Sequence, residues 1–157
     1  MGFSRDFWLG VVARLKGDAE AARAAFMKVR TKLEEEVRVH PDNMGLLSDL
    51  GLIDAALRRK EEALNEGRRA VELAPIAQEA MRGPRNNEGF ARTQFAMICA
   101  WVGEREMALE QLEALAKTPG GPGYGGLRLS PMWDPLRGDP RFEKIVASLA
   151  PKETVSK

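Results

Sequence analysis

The sequence predicts an all-α fold, and three observations support this prediction. Apolar residues recur at three- and four-residue spacing along several segments, which is typical of amphipathic helices. Short stretches with glycine or proline, such as residues 16–18 and 40–43, separate these segments. A similar order of leucine, glycine and alanine positions can be placed three times along the chain. The pattern therefore indicates helix pairs that repeat.

The composition suits one domain or a short array of repeats. Of the 157 residues, 44% are hydrophobic and 30% are charged, so a core can form and wholesale disorder is not expected. Lysine plus arginine number 24 against 23 acidic residues, which leaves no basic excess to attract nucleic acid or anionic lipid. We therefore expect no nucleic-acid partner and no membrane partner.

The single cysteine and the start of the chain bear on location. Cys99 has no second cysteine to pair with, so nothing requires an oxidising compartment. The apolar stretch over residues 8–13 is too short for a signal peptide, and no run is long enough to span a bilayer. We expect a cytoplasmic protein.

The first predicted unit covers residues 3–41. Leu9 and Gly10 are expected to lie between its two helices, where small residues permit close approach. Its second helix is predicted over residues 19–39, beginning after the N-cap Asp18 and ending before Pro41. This helix is longer than the usual repeat requires.

The second predicted unit covers residues 44–77, with helices over residues 45–59 and 61–73. Gly67 lies in the middle of the second of these helices, where it costs about 1 kcal/mol relative to alanine. Close approach of another helix is the expected reason for this glycine. The chain from Pro75 to residue 88 is then expected to form an inserted loop with at most one helical turn.

The third predicted unit covers residues 89–119 and is followed by a C-terminal cap over residues 130–150. The glycine-rich residues 120–126 lack the Gly-Lys-Ser/Thr of a phosphate loop, so a flexible connector is expected there. Within the cap, Asp139 and Pro140 are predicted to start a helix over residues 141–149. The tail, residues 151–157, is expected to be disordered.

The central unit resembles a tetratricopeptide repeat (TPR). The resemblance depends on Leu50 and Gly51 followed by Ala63, Ala70 and Pro75 at the spacing of that repeat. It implies a TPR-like α-α superhelix of three stretched helical hairpins plus a C-terminal capping helix, as a single domain over residues 1–150. The spacings between units exceed the usual period of about 34 residues, so the repeats are stretched.

The C-terminal run over residues 127–149 resembles the end of the TPR region in large bacterial multidomain proteins. In those proteins the array follows a protein kinase, a nucleotide cyclase or a DNA-binding domain. The resemblance implies a protein-binding or regulatory role, in a larger regulatory or scaffold protein, and no reaction of its own.

Residues with catalytic or metal-binding chemistry are sparse. His40 is the only histidine and precedes a helix-breaking proline, while Cys99 occupies a packing position of the repeat. One cysteine and one histidine cannot make a zinc site. We therefore expect no enzyme activity, no metal and no cofactor. A pocket with converging carboxylates of raised pKa would argue for an enzyme instead.

The resemblance also implies a binding surface, because the first helix of each TPR unit lines a concave groove. Such a groove would bind an apolar helix or extended segment of a protein or peptide. The alternative is that the same side chains pack internally or simply face water. The groove positions carried over to this chain are Phe7, Val11, Arg14, Ser48, Leu52, Ala55, Phe90, Thr93 and Met97.

A second interpretation concerns the N-terminal helix. Phe3, Phe7, Trp8 and Val11 lie on it, and no polar capping unit precedes them. The alternative function is therefore a structural homo-oligomerisation module that forms a homodimer through the exposed N-terminal face.

Overall fold

The computed structural model describes residues 4–80, 87–118 and 121–151. Within these ranges the chain is helical and contains no β-strand, so the all-α prediction is confirmed. The α-helices are α1 (Arg5–Leu15), α2 (Ala19–Val39), α3 (Met44–Ala56), α4 (Lys60–Ala80), α5 (Asn87–Trp101), α6 (Arg105–Leu115), α7 (Tyr124–Leu129) and α8 (Pro140–Ser148). A 3₁₀ helix over Pro131–Leu136 lies between α7 and α8.

The first six helices pack as three consecutive pairs. Helix α1 packs on α2, α3 on α4, and α5 on α6, while α2 also packs on α3 and α4 on α5. The first helices of the second and third pairs, α3 and α5, contact each other directly. Buried side chains from Phe7 in α1 to Val146 in α8 form one continuous hydrophobic cluster.

Two helices begin where their sequence signals place them. The backbone N–H of Ala21 donates to Oδ1 of Asp18 at 2.9 Å, and α2 then runs to Val39 as predicted. The backbone N–H of Arg141 donates to Oδ1 of Asp139 at 2.9 Å, and Pro140 occupies the first turn of α8.

The end of α4 differs from the prediction. This helix does not stop at residue 73 but passes through Pro75 and ends at Ala80. A proline inside a helix removes one hydrogen bond and bends the axis, and it need not end the helix. The predicted loop therefore begins later, and its residues 81–86 lie outside the described part of the chain. The same is true of residues 152–157 of the predicted tail.

The glycine-rich connector also contains more structure than expected. Residues Tyr124–Leu129 form the short helix α7, although two of its six residues are glycine. Leu127 is completely buried in the core cluster, so burial of one leucine anchors this segment. The prediction of a flexible connector was wrong for this part.

The C-terminal cap closes over α5 with aromatic side chains. Trp133 and Phe142 are buried with ring centroids 6.4 Å apart. The indole N–H of Trp101 donates to the backbone carbonyl of Met132 at 2.7 Å. The two tryptophans thus fill the space between α5 and the cap.

Three glycines lie where a neighbouring side chain comes too close for a methyl group. A Cβ atom at any of them would overlap a large apolar side chain, which confirms the close approach expected at Gly67. The distances from such a Cβ are 2.6 Å for Gly10 to Phe26, 2.9 Å for Gly51 to Ile98 and 2.7 Å for Gly67 to Phe95.

The change Gly67→Ala tests this packing. It should lower the free energy of unfolding by about 1–3 kcal/mol, because the added methyl group displaces Phe95. The control Gly45→Ala makes the same change near the start of α3, where the nearest atom is 3.4 Å away. It should raise stability by up to about 1 kcal/mol. Urea denaturation measures both, and equal effects would contradict the close approach.

Candidate functional site

Five of the nine groove positions lie inside the molecule. Phe7, Val11, Ser48, Leu52 and Ala55 are all buried. Four of them belong to the core cluster, and Ser48 lies on α3, which packs directly on α5. The interpretation of these five residues as an open groove was therefore wrong, because they face the interior from α1 and α3.

The other four groove positions do not form one surface. Phe90, Thr93 and Met97 lie along α5, where Phe90 is exposed and the other two are half-buried. The hydroxyl of Thr93 donates to the carbonyl of Gly89 at 2.7 Å. Arg14 lies near the opposite end of α5, and its guanidinium is 4.3 Å from the ring centroid of Trp101.

A polar seam lies near this face of α3 and α5. Burial raises the pKa of Asp49 to about 6. The side-chain nitrogen of Gln94 lies 3.5 Å from Oδ1 of Asp49, and Gln94 itself is buried. These two side chains extend the contact between α3 and α5.

The exposed apolar face of α1 is the largest such surface on one described helix. It consists of four side chains that are between 44% and 59% exposed. At 100° per residue they occupy an arc of about 120°, so they form one stripe. We call this set the α1 stripe: Trp8, Leu9, Val12 and Leu15.

The α1 stripe differs from the N-terminal face expected from the sequence. Of the predicted residues, Phe7 and Val11 are buried, Trp8 is exposed, and Phe3 lies outside the described part of the chain. Leu9 was expected to pack between helices and is instead exposed. The exposed apolar face therefore lies on a different side of α1 from the predicted one.

Counterparts in the third helix pair explain why the α1 stripe is apolar. In the predicted repeat alignment, Leu9 and Val12 correspond to Phe95 and Ile98. Both counterparts are buried, and both contact Gly67 on the second helix of the preceding pair. The α1 stripe is therefore the kind of surface that a preceding helix covers elsewhere in the same molecule.

A buried ion pair ties α2 to α3. Asp54 is completely buried, and the side chain of Arg30 donates from Nε to its Oδ1 at 2.6 Å. Nε of Arg59 lies 3.3 Å from the same oxygen. The signal in the sequence was Asp54 itself, a carboxylate directly flanked by the apolar Ile53 and Ala55.

Glu66 on α4 adds a second carboxyl group to this cluster. Burial, the charge of Asp54 and a hydrogen bond to Asp54 together raise the pKa of Glu66 to about 8. Oδ2 of Asp54 and Oε2 of Glu66 are buried and accept no hydrogen bond from other groups in the described chain. A proton held by Glu66 and donated to Asp54 satisfies the pair.

Glu66 has the raised pKa that a carboxyl group of an active site often has. Asp54 and Glu66 line neither the surface cleft beside Trp101 nor the surface cleft beside Arg58. Arg30 and Arg59 lie against Asp54. The arrangement joins α2, α3 and α4.

The change Glu66→Gln tests the shared proton. Between about pH 5 and pH 8 folded Glu66 keeps a proton that the unfolded chain has lost, so stability falls as pH rises. Because Glu66 is only partly buried, we expect wild type to lose about 1–2 kcal/mol more than Glu66→Gln over this range.

Urea denaturation at both pH values measures this difference. The exposed Glu110→Gln serves as the control and should follow wild type. Parallel pH profiles for wild type and Glu66→Gln would show that Glu66 holds no such proton.

Among the described residues, neither Cys99 nor His40 belongs to a group of side chains that could bind a metal. Cys99 is completely buried, and burial raises the pKa of its thiol to about 12. His40 is exposed and follows the last residue of α2, where its backbone N–H donates to the carbonyl of Glu36. Across the described ranges, no three histidine, cysteine or acidic side chains converge as a metal site.

In the described part of the chain, no helix is both long enough and apolar enough to cross a bilayer. Comparisons of the chain with protein-family models, with curated proteins and with solved structures gave no match.

Proposed function

We propose that this chain is a non-catalytic protein–protein interaction module with a TPR-like helical-repeat fold. The proposal includes a cytoplasmic location within a larger bacterial regulatory or scaffold protein. One observation carries the interaction role, namely the exposed α1 stripe. Because most of the predicted groove is buried, we assign the contact to this stripe.

The TPR-like part of the proposal is supported by how the helix pairs pack. Each of the three pairs has a short connection, and successive pairs stack through the second helix of one and the first helix of the next. Gly10 and Gly51 take corresponding places on α1 and α3, and each accommodates a large side chain from another helix.

The α1 stripe is suited to a helix as its partner. Helix α2 packs on α3 and helix α4 packs on α5, whereas among the described residues no helix occupies the matching place on α1. The stripe is apolar along its whole length, so two copies can bury their stripes against each other around a two-fold axis. We therefore favour a second copy of this chain as the partner.

The change Leu9→Glu tests this contact. Wild type should show a mass that rises with concentration toward a dimer in light scattering. Leu9→Glu should stay monomeric, because a carboxylate within the stripe would be buried without a partner. The control Leu129→Glu changes an isolated leucine that is 78% exposed, and it should dimerise as wild type does.

A wild-type protein that remains monomeric at the highest concentration reached would exclude the homodimer. If Leu9→Glu and Leu129→Glu weaken association equally, the association does not depend on the α1 stripe.

A further inference from the structure

Three arginines surround a surface cleft of about 480 Å³ that lies beside α1, α2 and the end of α3. The volume falls within the range of pockets for small ligands. The arginines are Arg14, Arg23 and Arg58. The apolar lining consists of Ala19, Ala22, Phe26, Ala56 and Leu57. The cleft thus combines positive charge at its rim with an apolar floor.

The three arginines of this cleft form no ion pair within the described part of the chain. No carboxylate of the described residues lies within ion-pair distance of the three arginines, whereas eight other arginines form such pairs. Burial and the neighbouring charge of Arg58 lower the pKa of Arg14. Two guanidinium groups are therefore close enough to repel each other.

The backbone of Arg58 adds an independent observation. Arg58 follows α3 with a φ of 63°, in the left-handed region that disfavours residues with a side chain. Gly17 and Gly103 occupy the corresponding turns of the other two helix pairs, with φ values of 78° and 87°. An arginine thus replaces the glycine that this turn favours, and its side chain lines the cleft.

Arg14 is held in place from the other side. Its guanidinium lies over the ring of Trp101, at 4.3 Å from the centroid. This contact borders a second cleft of about 310 Å³, which Arg14 and Trp101 line together with Pro131 and Pro135. The guanidinium is therefore positioned before any ligand arrives.

We propose that this cleft binds a phosphate monoester whose phosphate is joined to an apolar group. Arg14, Arg23 and Arg58 would bind the phosphate oxygens, and the apolar group would lie against Leu57, which is partly exposed. Arginine matches phosphate with paired hydrogen bonds. A doubly charged phosphate relieves the repulsion between Arg14 and Arg58 more fully than a single carboxylate does.

Phenyl phosphate is the probe, titrated into the full chain at about pH 7.5, where it carries nearly two negative charges. Amide chemical shifts should change saturably, with a dissociation constant on the order of 1 mM. Phenyl sulfate has the same shape but one charge, and it should bind about tenfold more weakly. Inorganic phosphate, which lacks the ring, should also bind more weakly.

Arg58→Gly is the decisive variant. It should bind phenyl phosphate about tenfold more weakly, because one guanidinium is lost. It should also unfold about 2–4 °C higher than wild type, because glycine removes the backbone strain. Weaker binding therefore cannot be attributed to poor folding. Arg14→Gln should weaken binding as well. The control Arg38→Gln, an exposed arginine near the other end of α2, should bind as wild type does.

Three results would overturn the proposal: no saturable shift with phenyl phosphate, equal affinity of Arg58→Gly and wild type, or equal affinity for phthalate, a dicarboxylate of the same charge. N-acetyl-phosphotyrosine amide distinguishes the source of the ligand. Clearly tighter binding than phenyl phosphate indicates a phosphorylated polypeptide, and equal binding indicates a small metabolite. Leu9→Glu should bind the probe unchanged, so this result is separate from that on self-association.

Discussion

The close approach of helices at three glycines is the constraint on which the packing depends. Phe26 fits against α1 only because Gly10 has no side chain, and Gly51 and Gly67 leave the space that α5 fills. These contacts let α5 settle against both α3 and α4, so the cluster continues to the C-terminal cap. The same stacking leaves the α1 stripe exposed, because that stripe corresponds to the surface that contacts the preceding pair on α5.

Local signals in the sequence predicted helices better than they predicted contacts. The bounds of α2 were predictable because Asp18 and Pro41 mark its two ends. The end of α4 was not, because a proline can be accommodated within a helix when its neighbours continue. The burial of Ser48 and Ala55 could not be predicted from the sequence pattern either. It depends on how tightly α3 and α5 pack together rather than on either helix alone.

The contacts of the charged residues were the part of the site that was hardest to predict from the sequence. Asp54 lies between apolar residues of α3, which is a visible sign of a buried ion pair, but its partners Arg30 and Glu66 come from other helices. For Arg58 the sequence holds a different signal. Once the repeat alignment pairs it with Gly17 and Gly103, an arginine stands at a turn that requires a left-handed backbone. The direction of its side chain still required the structure.

The single cysteine can report how often the interior of the protein opens. Cys99 lies in the last turn of α5 with no exposed surface, and its thiol stays protonated while it is buried. A thiol reagent therefore reacts only with molecules in which α5 has separated from its neighbours. The rate of modification under native conditions measures how often the central helix leaves the core, without any added label.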